Sequence, residues 1–275
     1  MKKILFFGAS HVAALKMGYE SYLANNPKTF SCDFLGITSG KLNMIDVSGG
    51  RLVYPEELES FVRFTRDDKY GSVRLDDYDV VVFPHESCLL SPQFFFRNVN
   101  NRYLPAPVSA SLMRTILNRH EGSFRNQTRF GEFDQLKAGR VEATTLHQYK
   151  KLYKLIDQFS GLFVFLGRPL PSQSFDDGVF GENVLSVKYF DELSVKIRSF
   201  CEKSFLRDGR LVYALPPVDL LTCHGFRTKA KYMKNCIVST GPSGGKNPLW
   251  DMTHGNSLYG ERVVSDLLPR IEFRL

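Results

Sequence analysis

The sequence predicts an α/β chain, a three-layer α/β/α sandwich around a mainly parallel central sheet, and three stretches carry that expectation. At the amino terminus the apolar run Ile4-Leu-Phe-Phe7 breaks at Gly8 and gives way to Val12, Leu15, Met17 and Tyr22 at helical spacing. That is the pattern of a buried strand, a tight turn and a helix. Val80-Val-Val-Phe83 is a fully apolar run after Asp79, suited to a strand covered on both faces. Between residues 146 and 214 helical and extended patterns alternate, as a parallel sheet with crossover helices requires.

Taken in order, the first helix spans residues 11 to 25 and stops at Asn25-Asn-Pro27, because proline cannot continue it. Phe30 to Ile37 reads as a second strand, followed by Thr38-Ser39-Gly40. Residues 51 to 78 are too mixed to assign. The strand from Val80 ends at Pro84-His85-Glu86-Ser87. Residues 92 to 140 interleave basic, aromatic and Asn/Pro residues, as in Asn98-Val-Asn-Asn-Arg-Tyr103, and read as a loop or cap inserted in the domain, with a short helix at 109 to 118. Such a surface can stack on a sugar ring or grip an anion, and it is equally the composition of a solvated connection. Leu146, Tyr149, Tyr153, Ile156 and Phe159 then recur at helical spacing, Gly161 ends the helix, and Leu162 to Leu166 forms a strand. A helix follows with Val187, Phe190, Leu193, Ile197 and Phe200 on its apolar face, then a strand from Arg210 to Ala214. The last helix carries a stripe of Leu258, Val263, Leu267 and Ile271. No repeat or low-complexity linker interrupts residues 1 to 275, so one domain is expected.

Ser10 sits on the turn after the first strand. A hydroxyl there lies at the carboxyl end of a strand and beside the free N–H groups of a helix start, where open α/β sheets bind ligands and where anionic groups are favoured. A dinucleotide-binding turn would be richer in glycine. Here Gly8 stands alone and the position where the extended short-chain dehydrogenase pattern wants another glycine holds His11, whose ring would crowd a phosphate. None of the 12 tyrosines is followed four residues later by lysine, so that family's Tyr-x-x-x-Lys pair is missing as well. The other chemistry open to Ser10 is nucleophilic, which needs a base and an acid to orient the base. Both occur in Trp250-Asp-Met-Thr-His254, just before the last helix. Asp251 and His254, on a turn entering a helix, can project to one side, although such a pair also serves as a plain helix cap.

A Gly-x-Ser turn at the amino end with Asp-x-x-His before a carboxyl-terminal helix resembles the SGNH (GDSL-type) hydrolase family. The resemblance rests on Gly8, Ser10, Asp251 and His254, and it implies a flavodoxin-like α/β/α sandwich, a Ser-His-Asp triad and small acyl esters, often acetyl groups on carbohydrates. Gly-Ala-Ser stands here in place of the usual Gly-Asp-Ser. For the oxyanion hole the resemblance implies the Ser10 N–H and a glycine of a second block, read as Gly40, with Gly49 or Gly50 as the fallback. The family's Gly-x-Asn-Asp after the Val80 strand is missing; His85 can donate in its place, and Ser87 less directly. Thr240-Gly-Pro-Ser-Gly-Gly-Lys-Asn247 fails as a P-loop on spacing and on its last residue. It reads instead as a glycine loop beside the active site whose Lys246 contacts an anionic substrate.

The composition is that of an ordinary globular protein, 43% apolar and 24% charged, with a net charge of +7 that favours anionic partners in general. There is no run of five basic residues to mark nucleic-acid binding. Five cysteines at wide spacing, without Cys-x-x-Cys, point away from a disulfide framework or zinc site and toward a reducing compartment. The apolar segment before Gly8 is too short for a signal peptide and no run reaches membrane-spanning length, so a cytoplasmic protein without cofactor or metal is expected. Three functions remain open at this point: a serine ester hydrolase or O-acyltransferase, a Rossmann-like nucleotide or nucleotide-sugar binding protein, and a catalytically silent SGNH-like scaffold.

Overall fold

The computed structural model describes residues 1–37, 42, 44–55, 62–63, 71–84, 96–99, 102–105, 154–156, 158–167, 169, 209–222, 228–236 and 254–275. Its strands are β1 (Lys2–Gly8), β2 (Phe30–Ile37), β3 (Asp46–Ser48), β4 (Arg51–Val53), β5 (Val62–Arg63), β6 (Ser72–Arg74), β7 (Val80–Pro84), β8 (Phe96–Val99), β9 (Arg102–Pro105), β10 (Leu162–Leu166) and β11 (Leu211–Ala214). Among the described residues the long helices are α1 (His11–Asn25) and α2 (Ser257–Arg274). The central sheet has the order β11-β10-β7-β1-β2-β5. Its first five strands run parallel and β5 is antiparallel at the edge, so the fold is α/β.

The apolar runs become strands because both faces of the sheet are covered. Every residue of β7 and of β10 is buried, as the continuous hydrophobic runs require. Alternation divides these side chains between two cores. Ile4, Phe6, Val80, Val82, Val164 and Val212 face Val12, Leu15 and Tyr19 of α1 and Val263, Val264, Leu267 and Ile271 of α2. Each such side chain contributes about 1.5–3 kcal/mol by leaving water. On the opposite face Phe7, Phe83, Phe163 and Phe165 form a cluster of tilted rings, with Phe83 and Phe165 in a T-shaped contact. Leu155 and Phe159 are buried outside the α1/α2 cluster. The rest of the layer expected there, including the helix carrying Val187 to Phe200, lies outside the described residues.

Chain order matters for function. Starting from β1 the sheet grows one way to β2 and the other way through β7, β10 and β11, so the direction of growth reverses between β1 and β7. The crevice at the carboxyl ends of strands flanking such a reversal is where open α/β sheets bind ligands, and here it opens beside Gly8, Ser10 and Pro84.

Two expectations need correction, and one unassigned stretch gains structure. Leu258 is 52% exposed and does not belong to the apolar stripe of α2, whose buried face runs through Tyr259, Gly260, Val263, Val264, Leu267, Leu268 and Ile271. Residues 51 to 78, unassigned from sequence, contribute β4 and β6 to a small antiparallel sheet with β3, and β5 to the edge of the central sheet. Asn98 to Tyr103 is not loop throughout, because β8 and β9 pair as an antiparallel hairpin with Asn98 opposite Tyr103. The remainder of the expected 92–140 insertion, its short helix and the start of the helix ending near Phe159 lie outside the described residues. The sheet is mainly parallel, as expected, with β5 closing its edge in the antiparallel sense. Among the described residues no helix is long and apolar enough to cross a membrane.

Candidate active site

Ser10 is delivered by the two-residue connection, Ala9 and Ser10, between β1 and α1. It stands at the N-cap position of α1 in right-handed helical conformation, and the first turn closes with Val12 N–H donating to Ala9 O and Ala13 N–H to Ser10 O. The Ser10 N–H precedes the first intrahelical bonds, at the helix end where the first N–H groups point outward. A serine at this position usually caps the helix with its hydroxyl. Ser10 makes no such cap bond; its Oγ lies 2.5 Å from Nε2 of His254, a residue 244 positions away.

Two features bring His254 to that place. The first is a close helix crossing, in which the backbones of α1 and α2 touch at Gly18 and Gly260. A Cβ on Gly18 would collide with the Gly260 carbonyl carbon and Glu261 N, and a Cβ on Gly260 with Ala14 O. The second is the N-terminal anchor of α2. Asn256 accepts from Tyr259 N–H through Oδ1 at 3.1 Å and donates through Nδ2 to Lys231 O at 2.8 Å and Lys234 O at 2.9 Å. Its own N–H donates to Tyr232 O at 2.9 Å. Between the anchor and the base lies Gly255, over which the Tyr259 ring packs so closely that a Cβ would overlap it. His254 is thus held two residues ahead of a capped helix whose axis is set by contact with α1.

The electrostatics follow from this arrangement. Ser10 precedes α1 and His254 precedes α2, so the positive ends of two helix dipoles meet at one site. An oxyanion forming beside Ser10 is stabilised there. Ser10, His11 and His254 are all half-buried, shielded from bulk water without being sealed. The His11 ring stacks on that of His254, with centroids 4.9 Å apart and planes 25° apart.

The structure therefore brings together Ser10 and His254, the two ends of the expected constellation. Asp251, Gly40, His85, Ser87 and Lys246 lie outside the described residues. The fallback oxyanion donors do not belong to the site. Gly49 and Gly50, both with positive φ (56° and 69°), form the two-residue turn between β3 and β4, a geometry open chiefly to glycine and asparagine. The Gly50 N–H donates to Gln158 Oε1 at 3.1 Å and its carbonyl accepts from Leu75 N–H. Gln158 precedes β10 and Leu75 precedes β7, so this turn sits at the amino ends of the strands, across the sheet from Ser10.

Two site residues escape a reading of motifs. Asn256 was visible as a helix-capping residue type before an apolar stripe, although its amide bonds to residues 231 and 234 were not. His11 counts from sequence only as an obstacle to phosphate, and nothing local to position 11 signals a ring contact with position 254. Among the described residues no group of three or more His, Cys, Asp or Glu side chains is arranged to hold a metal ion.

No family model and no curated protein matches the chain. Among solved structures it is similar to a DUF4886 family protein from Bacteroides uniformis, at 8% identity and a TM-score of 0.31 over 99% of this chain and 95% of that one. A likeness this weak carries neither fold nor chemistry.

Proposed function

We propose that the chain is a serine ester hydrolase or O-acyltransferase of the SGNH type, acting on small acyl esters, with acetyl groups on a carbohydrate as the substrate class. The observation that carries this reading is the 2.5 Å contact between Ser10 Oγ and His254 Nε2, made at the reversal point of a parallel sheet by a serine that forgoes its cap bond. A nucleophile within hydrogen-bond reach of a base is the geometry that activated hydroxyls require.

In this mechanism Ser10 Oγ attacks the ester carbonyl carbon as its proton passes to His254 Nε2. The oxyanion is held at the start of α1 by the Ser10 N–H, with Gly40 and His85 as further donors. Collapse breaks the acyl C–O bond, and the leaving alkoxide takes the proton from His254. Water or a sugar hydroxyl then gives its proton to His254 and attacks the acyl-enzyme, which releases Ser10 Oγ to recover the proton. Asp251 orients the imidazole and stabilises the imidazolium formed during the reaction. Lys246 contacts an anionic portion of the substrate, in line with the net charge of +7.

The rival binding function draws on the same crevice, where a nucleotide phosphate would meet the α1 amino end. The Ser10–His254 contact made there favours the hydrolase. Hydrolysis of p-nitrophenyl acetate by wild type and Ser10→Ala, run beside thermal shifts with nucleotides, separates the alternatives. The proposal expects turnover lost with Ser10→Ala and no nucleotide shift. Turnover that survives the substitution, or a nucleotide shift without turnover, rejects it.

A further inference from the structure

Resting on the reading of Ser10 as nucleophile and His254 as base, we infer that His11 is a positioning residue of this site: its ring, stacked on the His254 imidazole, holds the base in the plane from which Nε2 meets Ser10 Oγ.

A histidine has a soft second torsion, because rotation about the bond to its ring has broad minima. An acid on the far nitrogen restrains one edge of the ring and the serine restrains the other, but neither resists rotation about the line joining them. A flat group against the face does. His11 supplies that group, with ring centroids 4.9 Å apart and planes only 25° apart, within the range of attractive aromatic stacking. The backbone makes this placement rigid. His11 is the first residue of α1, one position after the nucleophile, and its turn is closed by the bonds of Val12 and Ala13 to Ala9 and Ser10. The nucleophile and the plate that aligns its base are therefore carried by one helix end, while the base comes from the other helix. Any displacement of α2 against α1 is felt by the stack and by the Ser10 contact together.

The restraint acts on geometry and not on substrate binding, so its loss falls on kcat and leaves KM in place. From the usual worth of an aromatic pair, replacing His11 by alanine slows acylation by about 3- to 10-fold. Phenylalanine keeps a flat ring at the same position, without the nitrogens, and restores most of the rate.

The experiment measures the rate of covalent labelling by a fluorophosphonate, and kcat and KM for p-nitrophenyl acetate, in wild type, His11→Ala and His11→Phe, with thermal denaturation of each. The inference expects a slowed His11→Ala with unchanged KM and a His11→Phe within about twofold of wild type. If wild type labels and His11→Ala labels equally fast, the positioning role is wrong while the nucleophile assignment stands. If both variants are slowed alike with melting temperatures intact, the ring plane is not what matters and the inference also fails. A folded wild type that does not label removes the hydrolase reading itself, and the role of His11 with it.

Discussion

Replacing Gly18 by alanine sets two effects of opposite sign against each other. Helix propensity favours alanine by about 1 kcal/mol. Packing opposes it, because a Cβ on Gly18 would stand 2.6 Å from the Gly260 Cα and nearer still to the Gly260 carbonyl carbon. Comfortable carbon–carbon contact needs about 3.5 Å, so the shortfall at the Cα alone is roughly 1 Å. Both obstacles are backbone atoms of α2, with no flexible side chain to swing aside, so the helices themselves must separate. Overpacking of this kind costs about 1–3 kcal/mol, and after the propensity gain roughly 0–2 kcal/mol of net destabilisation is expected. The effect on chemistry is larger, since Ser10 and His254 ride on the two helices being separated and a misplacement of ~1 Å costs on the order of 10²-fold in rate. Urea unfolding and kcat/KM for p-nitrophenyl acetate measure the two consequences separately. A Gly18→Ala protein that is about 1 kcal/mol more stable and fully active would refute the claim that this crossing sets the site.

Asn256→Ala removes the α2 cap and two amide bonds to residues 231 and 234, so urea denaturation should show a loss of about 2–4 kcal/mol. Asn256→Ser keeps the cap and should recover part of it, and a loss below about 0.5 kcal/mol for alanine would contradict the anchor. The Tyr259 hydroxyl is buried with no hydrogen-bond partner among the described residues, and burial pushes its pKa far upward. Tyr259→Phe should therefore be neutral or stabilising by up to about 2 kcal/mol, whereas a clear destabilisation would mean that the hydroxyl is satisfied. Burial pushes the Cys32 thiol up to about 12, the Tyr19 hydrogen bond pulling the other way, and the Tyr19 phenol is raised as well. The folded protein holds these protons more tightly than the unfolded chain, so their contribution is complete below the ordinary thiol pKa of about 8.5 and is lost as pH rises toward the folded values. The urea midpoint should fall between pH 8 and about 10.5, with a shallower fall in Cys32→Ala; an identical slope in the two proteins would exclude Cys32 as the cause.

Much of the sheet was legible because burial on both faces leaves no room for polar residues. Leu162 to Leu166 and Val80 to Phe83 could hardly be anything but interior strands, and β2 spans Phe30–Ile37, the residues expected of it. The three-residue strands β4 and β6 were not legible. Only Leu52 and Val73 at their centres are buried while their flanking residues are not, too short a period-two pattern to stand out among charged neighbours. Hydropathy favours Leu258 for the α2 core, yet the helix phase is set by the contact of Gly260 with α1, which turns Tyr259 inward and Leu258 out. In the candidate site, Ser10 and His254 could be paired because each sits at the end of an element with a recognisable signature. The His11 stack and the Gly18–Gly260 contact depend on how two helices from opposite ends of the chain meet, which no local pattern encodes. Gly49 and Gly50 show the converse, glycines whose positive φ serves a local need, the two-residue hairpin turn between β3 and β4.

The central claim is that Ser10 is a nucleophile activated by His254, and covalent labelling tests it most directly. Folded wild type, treated with a fluorophosphonate near pH 8 and analysed by mass spectrometry, should carry one adduct, located on the peptide containing Ser10. His254→Ala should carry none on the same timescale, since related triads lose on the order of 10⁶ in rate without the base. Asp251→Asn should label more slowly than wild type and faster than His254→Ala, because the imidazole remains but loses its orienting charge. An unlabelled wild type, or equal labelling of wild type and His254→Ala, would contradict the account.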